Sequence, residues 1–552
     1  MSPKPGRERG RGRHAPDAGR PGARGAAVRW TRWLAYGAIL LYGLYWGVQA
    51  LSLHRTGNYA VETDFYWKYA PAADDLRHGR IDIGNYDSKG WGYPAALALF
   101  SLSGLGTFRA GQILALLSAC FAAWLLYRTQ RSLFGPALAL IGLLLLLSNG
   151  TFVENTFEVG TDMFFFALCA GSIALLLRPR APGVAGVTAS GLLAGWAFST
   201  RYNGLFLWPA AVLQILFLRE PKGERRERWL RVGALTGGFL VGALPWLVLN
   251  ALHTGNPLTN SNYMNVGYLV YGQGNWEQFF YGKERAIHSF LDVVRLDPGR
   301  FVGAVAGNAV ATLRHDLGLV PEATRAGNAL LHPVWGALAV LGAGLAAWER
   351  PGRRAAGFFL FGLLYFLTIT PVFYGTRFSI PMLAFYTALS AWPFASDRIG
   401  AWLGSVERTF PLRSFVFLLL WLPVTFSTYG RILDPANPGG LRAGSSEMDA
   451  AAAFLKPRGA GEALVARKPH AAYRAGMRFV PLTDVASIAE LRALMARGRA
   501  RYLLISGWEL RRPALLPFAN PSAPHPGFRL LFESPAALVY EALPDTEPGA
   551  SP

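Results

Sequence analysis

The chain has 552 residues, of which 52% are apolar and only 16% are charged, and its formal net charge is +20. This apolar content excludes an ordinary soluble globular protein. The positive charge alone would allow a nucleic-acid-binding protein, but the cations lie in short blocks between apolar runs, as they do in cytoplasmic loops of membrane proteins. We therefore expect a multi-pass protein whose solvent is the lipid bilayer, with no nucleic-acid partner.

The amino terminus is a basic segment followed by an apolar run. Nine Lys and Arg residues in positions 1–33 predict a disordered tail on the cytoplasmic side of the inner (cytoplasmic) membrane. The run 34–53 has about 20 residues, enough to cross the hydrocarbon layer. No small-residue cleavage site follows it, so we expect a retained anchor.

Ten more apolar runs follow the first one. Together they predict an all-α polytopic membrane domain of about 11 transmembrane helices, spanning residues 34–429. The ten runs are 108–127, 133–152, 161–177, 184–200, 203–218, 232–252, 333–347, 355–370, 378–394 and 414–426.

The run 92–105 is ambiguous, because counting it as a span reverses the side of everything after it. It is only about 14 residues long, shorter than a span requires. If it does not cross, the basic residues after the next spans are cytoplasmic, as the positive-inside rule favours. We therefore predict an interfacial helix within a first outer loop, 54–107.

The lengths of the apolar runs and the positions of the basic residues also assign the other segments to a side of the membrane. The stretch 184–218 is too long for one span, so we predict a hairpin that turns at Asn203-Gly204 and leaves Arg201 at the outer boundary. A second large outer loop is predicted over 253–332. The tail, 430–552, reads as a small extracytoplasmic α/β domain, with strands at 462–467, 501–506, 528–534 and 537–543 and a helix at 486–498.

Two acids follow the first span closely, Glu62 and Asp64. A carboxylate where water meets lipid could act as a general base on an acceptor hydroxyl or amine. The structural alternative is that Thr63 or Asp64 caps the helix that follows.

Three cations are candidates for binding a phosphate. Lys89 precedes the interfacial helix, which begins at Tyr93, and could equally be a solvated loop residue. Arg201 and Arg377 lie at the outer ends of spans in a chain that otherwise keeps such cations inside. Snorkelling to the interface is their alternative role.

Acidic residues recur every fourth position at Glu154, Glu158 and Asp162. A helix beginning near Asn155 would carry Glu158 and Asp162 on one face, where they could hold a divalent cation or an acceptor. Alternatively, Asn155 and Glu158 have the spacing of a capping box.

In the order of its motifs the chain resembles the GT-C superfamily of membrane glycosyltransferases, which includes protein O-mannosyltransferases and bacterial aminoarabinose transferases. The matching positions in chain order are Asp64, Tyr69, Ala73, Leu76, Gly79, Tyr93, Pro94, Arg109, Asp162, Gly191, Gly195, Arg201, Arg377 and Pro381.

This resemblance implies inverting transfer of a sugar from a polyprenyl-phosphate donor to a protein, lipid or polysaccharide acceptor on the outer face. It implies Asp64 as the base, with Glu62 sharing or exchanging that role. Lys89, Arg201 and Arg377 would hold the departing phosphate. Tyr93, Glu158 and Asp162 would shape the site or contact the acceptor; no bound metal is predicted.

Two other classes fit the composition. A flippase for lipid-linked sugars would carry ionisable groups within its spans and paired broken helices, whereas these runs are nearly free of charge. A non-catalytic assembly protein would depend on the tail domain alone.

Overall fold

The structure is a computed structural model. It describes residues 21–56, 62–86, 90–180, 182–218, 225–258, 261–272, 274, 276–281, 287–322, 329–437, 440–442, 446–459, 461–535 and 537–543.

Helices dominate the chain up to residue 433, and each of the eleven predicted runs coincides with helical structure. The helices of this part are α1 Pro21–Leu53, α2 Ala70–Arg77, α3 Gly92–Ser101, α4 Thr107–Phe134, α5 Pro136–Leu147, α6 Gly150–Phe157, α7 Thr161–Leu176, α8 Val184–Thr200, α9 Leu207–Leu213, α10 Arg225–Thr254, α11 Tyr263–Tyr271, α12 Trp276–Tyr281, α13 Phe290–Leu296, α14 Pro298–Asp316, α15 Pro333–Glu349, α16 Arg353–Ile369, α17 Leu383–Ala395, α18 Asp397–Thr409 and α19 Leu412–Leu433.

Five helical segments among the described residues are long and apolar enough to cross a membrane, and a sixth arises if the bent pair α5 and α6, which meet at 61°, forms one span. The five are Arg29–Leu53, Thr107–Phe134, Arg225–Thr254, Thr376–Glu407 and Leu412–Leu433. The membrane-protein class is therefore supported. The count of eleven crossings stays a prediction, because several helices at the predicted runs have only 16 or 17 residues.

Three predicted segments differ from the structure in extent. The tail is expected to be disordered to residue 33, whereas helix α1 begins at Pro21. The segment predicted as an interfacial helix forms a separate short helix, which ends at Ser101. Within the described residues, the predicted loop 253–332 contains helices α11 to α14, and its apolar residues Val266, Val270 and Val293 are buried together in one small cluster.

Helices α8 and α10 pack with their backbones in close contact. Gly191 and Gly195 of α8 lie against backbone carbonyls of α10, and a Cβ at either position would come within 2.1 Å of one. Gly238 and Gly242 of α10 make the reciprocal approach to α8. Two small-xxx-small pairs therefore interlock, which is how membrane helices approach closely without a hydrophobic driving force between them.

The carboxyl-terminal part is the α/β domain that the sequence predicts. Its strands are β1 Ala463–Ala466, β2 Arg478–Pro481, β3 Tyr502–Ser506, β4 Phe528–Ser534 and β5 Ala537–Ala542, in the spatial order β2-β1-β3-β5-β4. Its helices are α20 Ser446–Leu455, α21 His470–Ala475 and α22 Ile488–Arg497.

Helices cover both faces of this sheet, with α22 packing on one face and α20 and α21 on the other. The strand β2 was missed by the sequence analysis. It is an edge strand of four residues that ends at Pro481, so it has neither the length nor the alternation of a strand signal.

Candidate active site

The first loop carries a π-helix, Phe65–Tyr69, directly after Asp64. Phe65, Tyr66 and Tyr69 are buried, whereas Asp64 stays partly exposed. The Asp64 side chain makes no capping hydrogen bond to this helix, so the capping alternative does not account for it. Single-turn π-helices occur frequently at functional sites because they redirect side chains within a helix.

Asp162 and Arg201 form a buried ion pair next to this loop. Asp162 lies in the first turn of α7, and the Nη1 of Arg201 donates to its carboxylate and, over 3.1 Å, to the hydroxyl of Thr161. Arg201 follows α8 in an extended backbone conformation. Asp64 and Tyr69 are close enough to interact electrostatically with the same guanidinium.

Arg377, the second arginine predicted at an outer helix end, lies near the same aromatic ring as Arg201. Arg377 lies in a 3₁₀ helix, Thr376–Met382, and its guanidinium carbon is 5.2 Å from the centroid of the Phe378 ring. The guanidinium of Arg201 is 5.4 Å from the same ring. The fold therefore collects two arginines around one aromatic side chain, although they are far apart in sequence.

Glu62 has surroundings quite different from those of Asp64. Its Oε1 forms a 2.7 Å hydrogen bond with Nε2 of His54 and accepts from the backbone N–H of Val159 over 3.3 Å. Glu158 completes a cluster in which one ligand atom from each of His54, Glu62 and Glu158 lies within 4.8 Å of the others. All three side chains are buried.

Burial controls the protonation of this cluster. Desolvation raises the pKa of the Glu62 carboxyl and of the Glu158 carboxyl, and the charge of Glu62 raises that of Glu158 further. Desolvation also lowers the pKa of the His54 imidazole. Near neutral pH, the neutral forms of these groups are therefore favoured relative to the same groups in water.

Two carboxylates and an imidazole are suitable ligands for a divalent cation such as zinc. Ligands of one tetrahedral zinc lie about 3.4 Å apart, since each bond is about 2.1 Å. His54 and Glu62 are closer than this, at hydrogen-bond distance. The geometry is that of a hydrogen-bonded network.

The predicted helix carrying Glu158 and Asp162 on one face is wrong. Helix α6 is capped at its start by Asn149, whose side chain accepts from the N–H of Phe152, and it ends at Phe157. Glu158 is extended, and α7 begins anew at Thr161. The break places the two acids in separate networks, and it also removes the capping box proposed for Asn155 and Glu158.

The two remaining predicted site residues are Lys89 and Tyr93. Lys89 lies outside the described residues. The next residue, Gly90, packs so tightly that a Cβ there would come 1.8 Å from the carbonyl of Ser199, close to Arg201. Tyr93 is fully buried, and its ring meets that of Tyr69 at 5.4 Å, so it supports the first loop from behind.

The carboxyl-terminal domain also contacts the first loop, which the sequence analysis did not foresee. The hydroxyl of Tyr473 bonds Asp74 over 2.9 Å and Thr107 over 2.7 Å. Arg474 donates to Asp449 and, over 3.0 Å, to Thr56. Helix α21 thus holds both ends of the segment that carries Asp64.

Three comparisons with known proteins bear on this site. A family model described as dolichyl-phosphate-mannose-protein mannosyltransferase matches residues 92–248. No curated protein matches the chain significantly.

Solved structures match over most of the chain. ArnT from Cupriavidus metallidurans bound to undecaprenyl phosphate is 14% identical, with 92% of this chain and 98% of that one covered and a TM-score of 0.52. The oligosaccharyltransferase AglB from Archaeoglobus fulgidus, in complex with an inhibitory peptide and a dolichol-phosphate, is 11% identical over 86% of this chain and 70% of that one, with a TM-score of 0.55. The fold resemblance to GT-C glycosyltransferases is thereby confirmed.

Proposed function

We propose that the protein is a glycosyltransferase that moves a sugar from a polyprenyl-phosphate donor to an acceptor on the outer face of the membrane. The observation that carries this proposal is the proximity of a partly exposed carboxylate, Asp64, to the guanidinium of Arg201, which shares the Phe378 ring with the guanidinium of Arg377. A base and a pair of oxyanion partners are the two kinds of group that such a transfer requires.

The reaction follows from these groups. Asp64 accepts the proton of an acceptor hydroxyl or amine while the acceptor atom attacks the anomeric carbon of the sugar. The bond between that carbon and the phosphate oxygen breaks on the opposite face, so the configuration inverts. The electron pair leaves with the polyprenyl phosphate, whose developing charge Arg201 and Arg377 stabilise.

The remaining residues have positioning roles in this scheme. Asp162 orients the Arg201 guanidinium, which keeps further N–H groups for a phosphate oxygen. Lys89 is proposed as a third phosphate partner, because Gly90 lies against the end of α8 that leads to Arg201. Glu62 and Glu158, which are buried with His54, fix the position of the loop that carries Asp64.

The comparisons support the donor class. The two similar structures are named as complexes with undecaprenyl phosphate and with a dolichol-phosphate, both polyprenyl phosphates, and the matching family model is named for a dolichyl-phosphate-sugar enzyme. Placement of the site on the outer face is supported by the basic residues at the opposite helix ends, among them Arg128, Arg131 and Arg178. The acceptor can be a protein, a lipid or a polysaccharide.

The test uses the full-length protein in liposomes with radiolabelled polyprenyl-phosphate hexoses and pentoses and an envelope extract as acceptor. Asp64→Asn removes the base but keeps the shape, so transfer falls by about 100-fold or more. The matched control is Asp82→Asn, an exposed acid of the same loop, which keeps activity. Full transfer by Asp64→Asn, or no transfer by the wild type from any polyprenyl-phosphate sugar, contradicts the proposal.

A further inference from the structure

A cavity of ≈ 750 Å³ opens at the helix ends remote from the candidate active site. It lies among Arg32 and Tyr36 of α1, the last turns of α4, the end of α7 and the side of α8. Asp162 begins α7 and Arg178 follows its end, so the 16-residue helix places them about 24 Å apart, at about 1.5 Å per residue. The cavity is therefore separate from the site around Asp64.

Its charge is of one sign. Arg32, Arg128, Arg131 and Arg178 line it, and no Asp or Glu is among the described residues that form its wall. None of the four makes a salt bridge within the described part of the chain, and three of them are exposed. An anion entering here meets four guanidinium groups, none of which pairs with an acid among the residues that the structure describes.

The rest of the wall is apolar and aromatic. Phe121 and Trp124 stack with ring centroids 5.6 Å apart, and the guanidinium of Arg128 lies 4.8 Å from the Trp124 ring. The Phe121 side chain is 51% exposed, toward the region that lipid would occupy beside α4. A ligand that matches both the arginine-lined part and the apolar part of the wall has an anionic head group and a hydrocarbon tail.

We propose that this cavity binds an anionic phospholipid of the adjoining leaflet, with its phosphate on the arginines and its acyl chains along Phe121, Trp124 and their aliphatic neighbours. Basic pockets between transmembrane helices are suited to such head groups, because each cation near the surface attracts the anionic lipid. A free phosphate ion would leave the apolar wall unused. A basic rim that serves only membrane orientation would need no cavity.

Native mass spectrometry of the full-length protein, titrated with phosphatidylglycerol or phosphatidylcholine of the same chain length, tests this. We expect the wild type to retain phosphatidylglycerol selectively. The triple variant Arg128→Gln, Arg131→Gln, Arg178→Gln should bind it about tenfold or more weakly, whereas the same positions changed to Lys should keep most of the selectivity. The matched control is Arg225→Gln with Arg226→Gln, two exposed arginines at the start of α10 that do not line the cavity.

Each other outcome contradicts the proposal. Equal retention of both lipids by the wild type, or equal loss in the control and the triple variant, shows that the cavity selects no head group. Arginine-dependent binding of inorganic phosphate that is as tight as binding of phosphatidylglycerol assigns the arginines to a free ion. Arginine-dependent binding of undecaprenyl phosphate in preference to phosphatidylglycerol assigns the cavity to a polyprenyl lipid.

Discussion

Two acids that lie two positions apart in the sequence have different surroundings, because one of them belongs to a buried hydrogen-bonded network. Glu62 is fully buried with His54 and Glu158, whereas Asp64, two residues on, is partly exposed beside Arg201. A general base must reach its acceptor, so the exposed acid is the better candidate. The buried acid, Glu62, is instead expected to hold the loop that carries Asp64.

Glu62→Gln and Glu62→Ala therefore differ in their expected effects. The amide has the shape of the protonated carboxyl that burial favours, so transfer stays within about tenfold of the wild type. The alanine leaves the N–H of Val159 and the imidazole of His54 without this acceptor and lowers the free energy of unfolding by about 1–3 kcal/mol. Thermal unfolding and the transfer assay measure both. A Glu62→Gln protein that folds normally but has lost transfer would assign catalysis to Glu62.

Asp316 provides a pH-dependent contribution to stability. It is fully buried, accepts hydrogen bonds from Tyr374 and Tyr386, and its burial raises its pKa to about 7. Between the unfolded value of about 4 and this value, the folded protein binds more protons than the unfolded chain, so stability falls as pH rises. We expect the melting temperature to drop from pH 5 to pH 8.

Asp316→Asn should reduce that drop, because the amide cannot ionise. The matched control is Asp484→Asn, an exposed acid of the carboxyl-terminal domain, whose pH profile should follow that of the wild type. Thermal unfolding in detergent across this range measures both. An unchanged slope in Asp316→Asn would show that other groups set the pH dependence.

At the scale of elements, the crossing of α8 and α10 is set by glycines. Two adjacent glycines of α10 make the point, since a Cβ at Gly238 would lie 2.2 Å from the carbonyl of Thr188, whereas a Cβ at Gly237 meets nothing within 4 Å. The pair offers a comparison in which helix propensity changes equally and only packing differs.

Gly238→Ala should therefore lower the free energy of unfolding by about 1–3 kcal/mol or more, because the helices must separate to admit the methyl group. Gly237→Ala should be neutral or slightly stabilising, since alanine is the better helix former. Melting temperatures in one detergent provide the comparison. Equal effects of the two substitutions would mean that the crossing is looser than described.

At the scale of the whole molecule, the carboxyl-terminal domain contacts the loop that carries Asp64. Tyr473 and Arg474 make the contacts described above, and the ring of His470 lies 4.7 Å from that of Tyr66 in the π-helix. The double variant Tyr473→Phe, Arg474→Gln should raise amide hydrogen exchange in residues 62–77. Arg478→Gln, at an arginine that bonds within its own domain, is the control. Unchanged exchange in the double variant would leave the domain without this role.

The proposed orientation is testable at the same scale. A cysteine replacing Ser522, exposed in the carboxyl-terminal domain, should react with a membrane-impermeant maleimide on intact cells. A cysteine replacing Arg353, exposed at the start of α16, should react only after permeabilisation. Labelling of both from one side would contradict the predicted sidedness.

Local patterns in the sequence determined the membrane class, helical structure at each of the eleven apolar runs, four of the five strands and the candidates Asp64, Arg201 and Arg377, but not the 19-residue helix α14. Apolar runs and alternating strands depend on neighbours within about 20 residues, so they can be read without a fold. The order of the motifs along the chain likewise predicted the fold resemblance to GT-C glycosyltransferases.

Only the tertiary structure separated Glu62 from Asp64, ended α6 before Glu158 and joined the carboxyl-terminal domain to the first loop. Each of these depends on groups distant in the chain, as when the ring of His54 meets the carbonyl of Leu441, 387 residues away. Whether a carboxyl is a buried support or an exposed base depends on which remote segment desolvates it, and hydropathy along the chain carries no information about that.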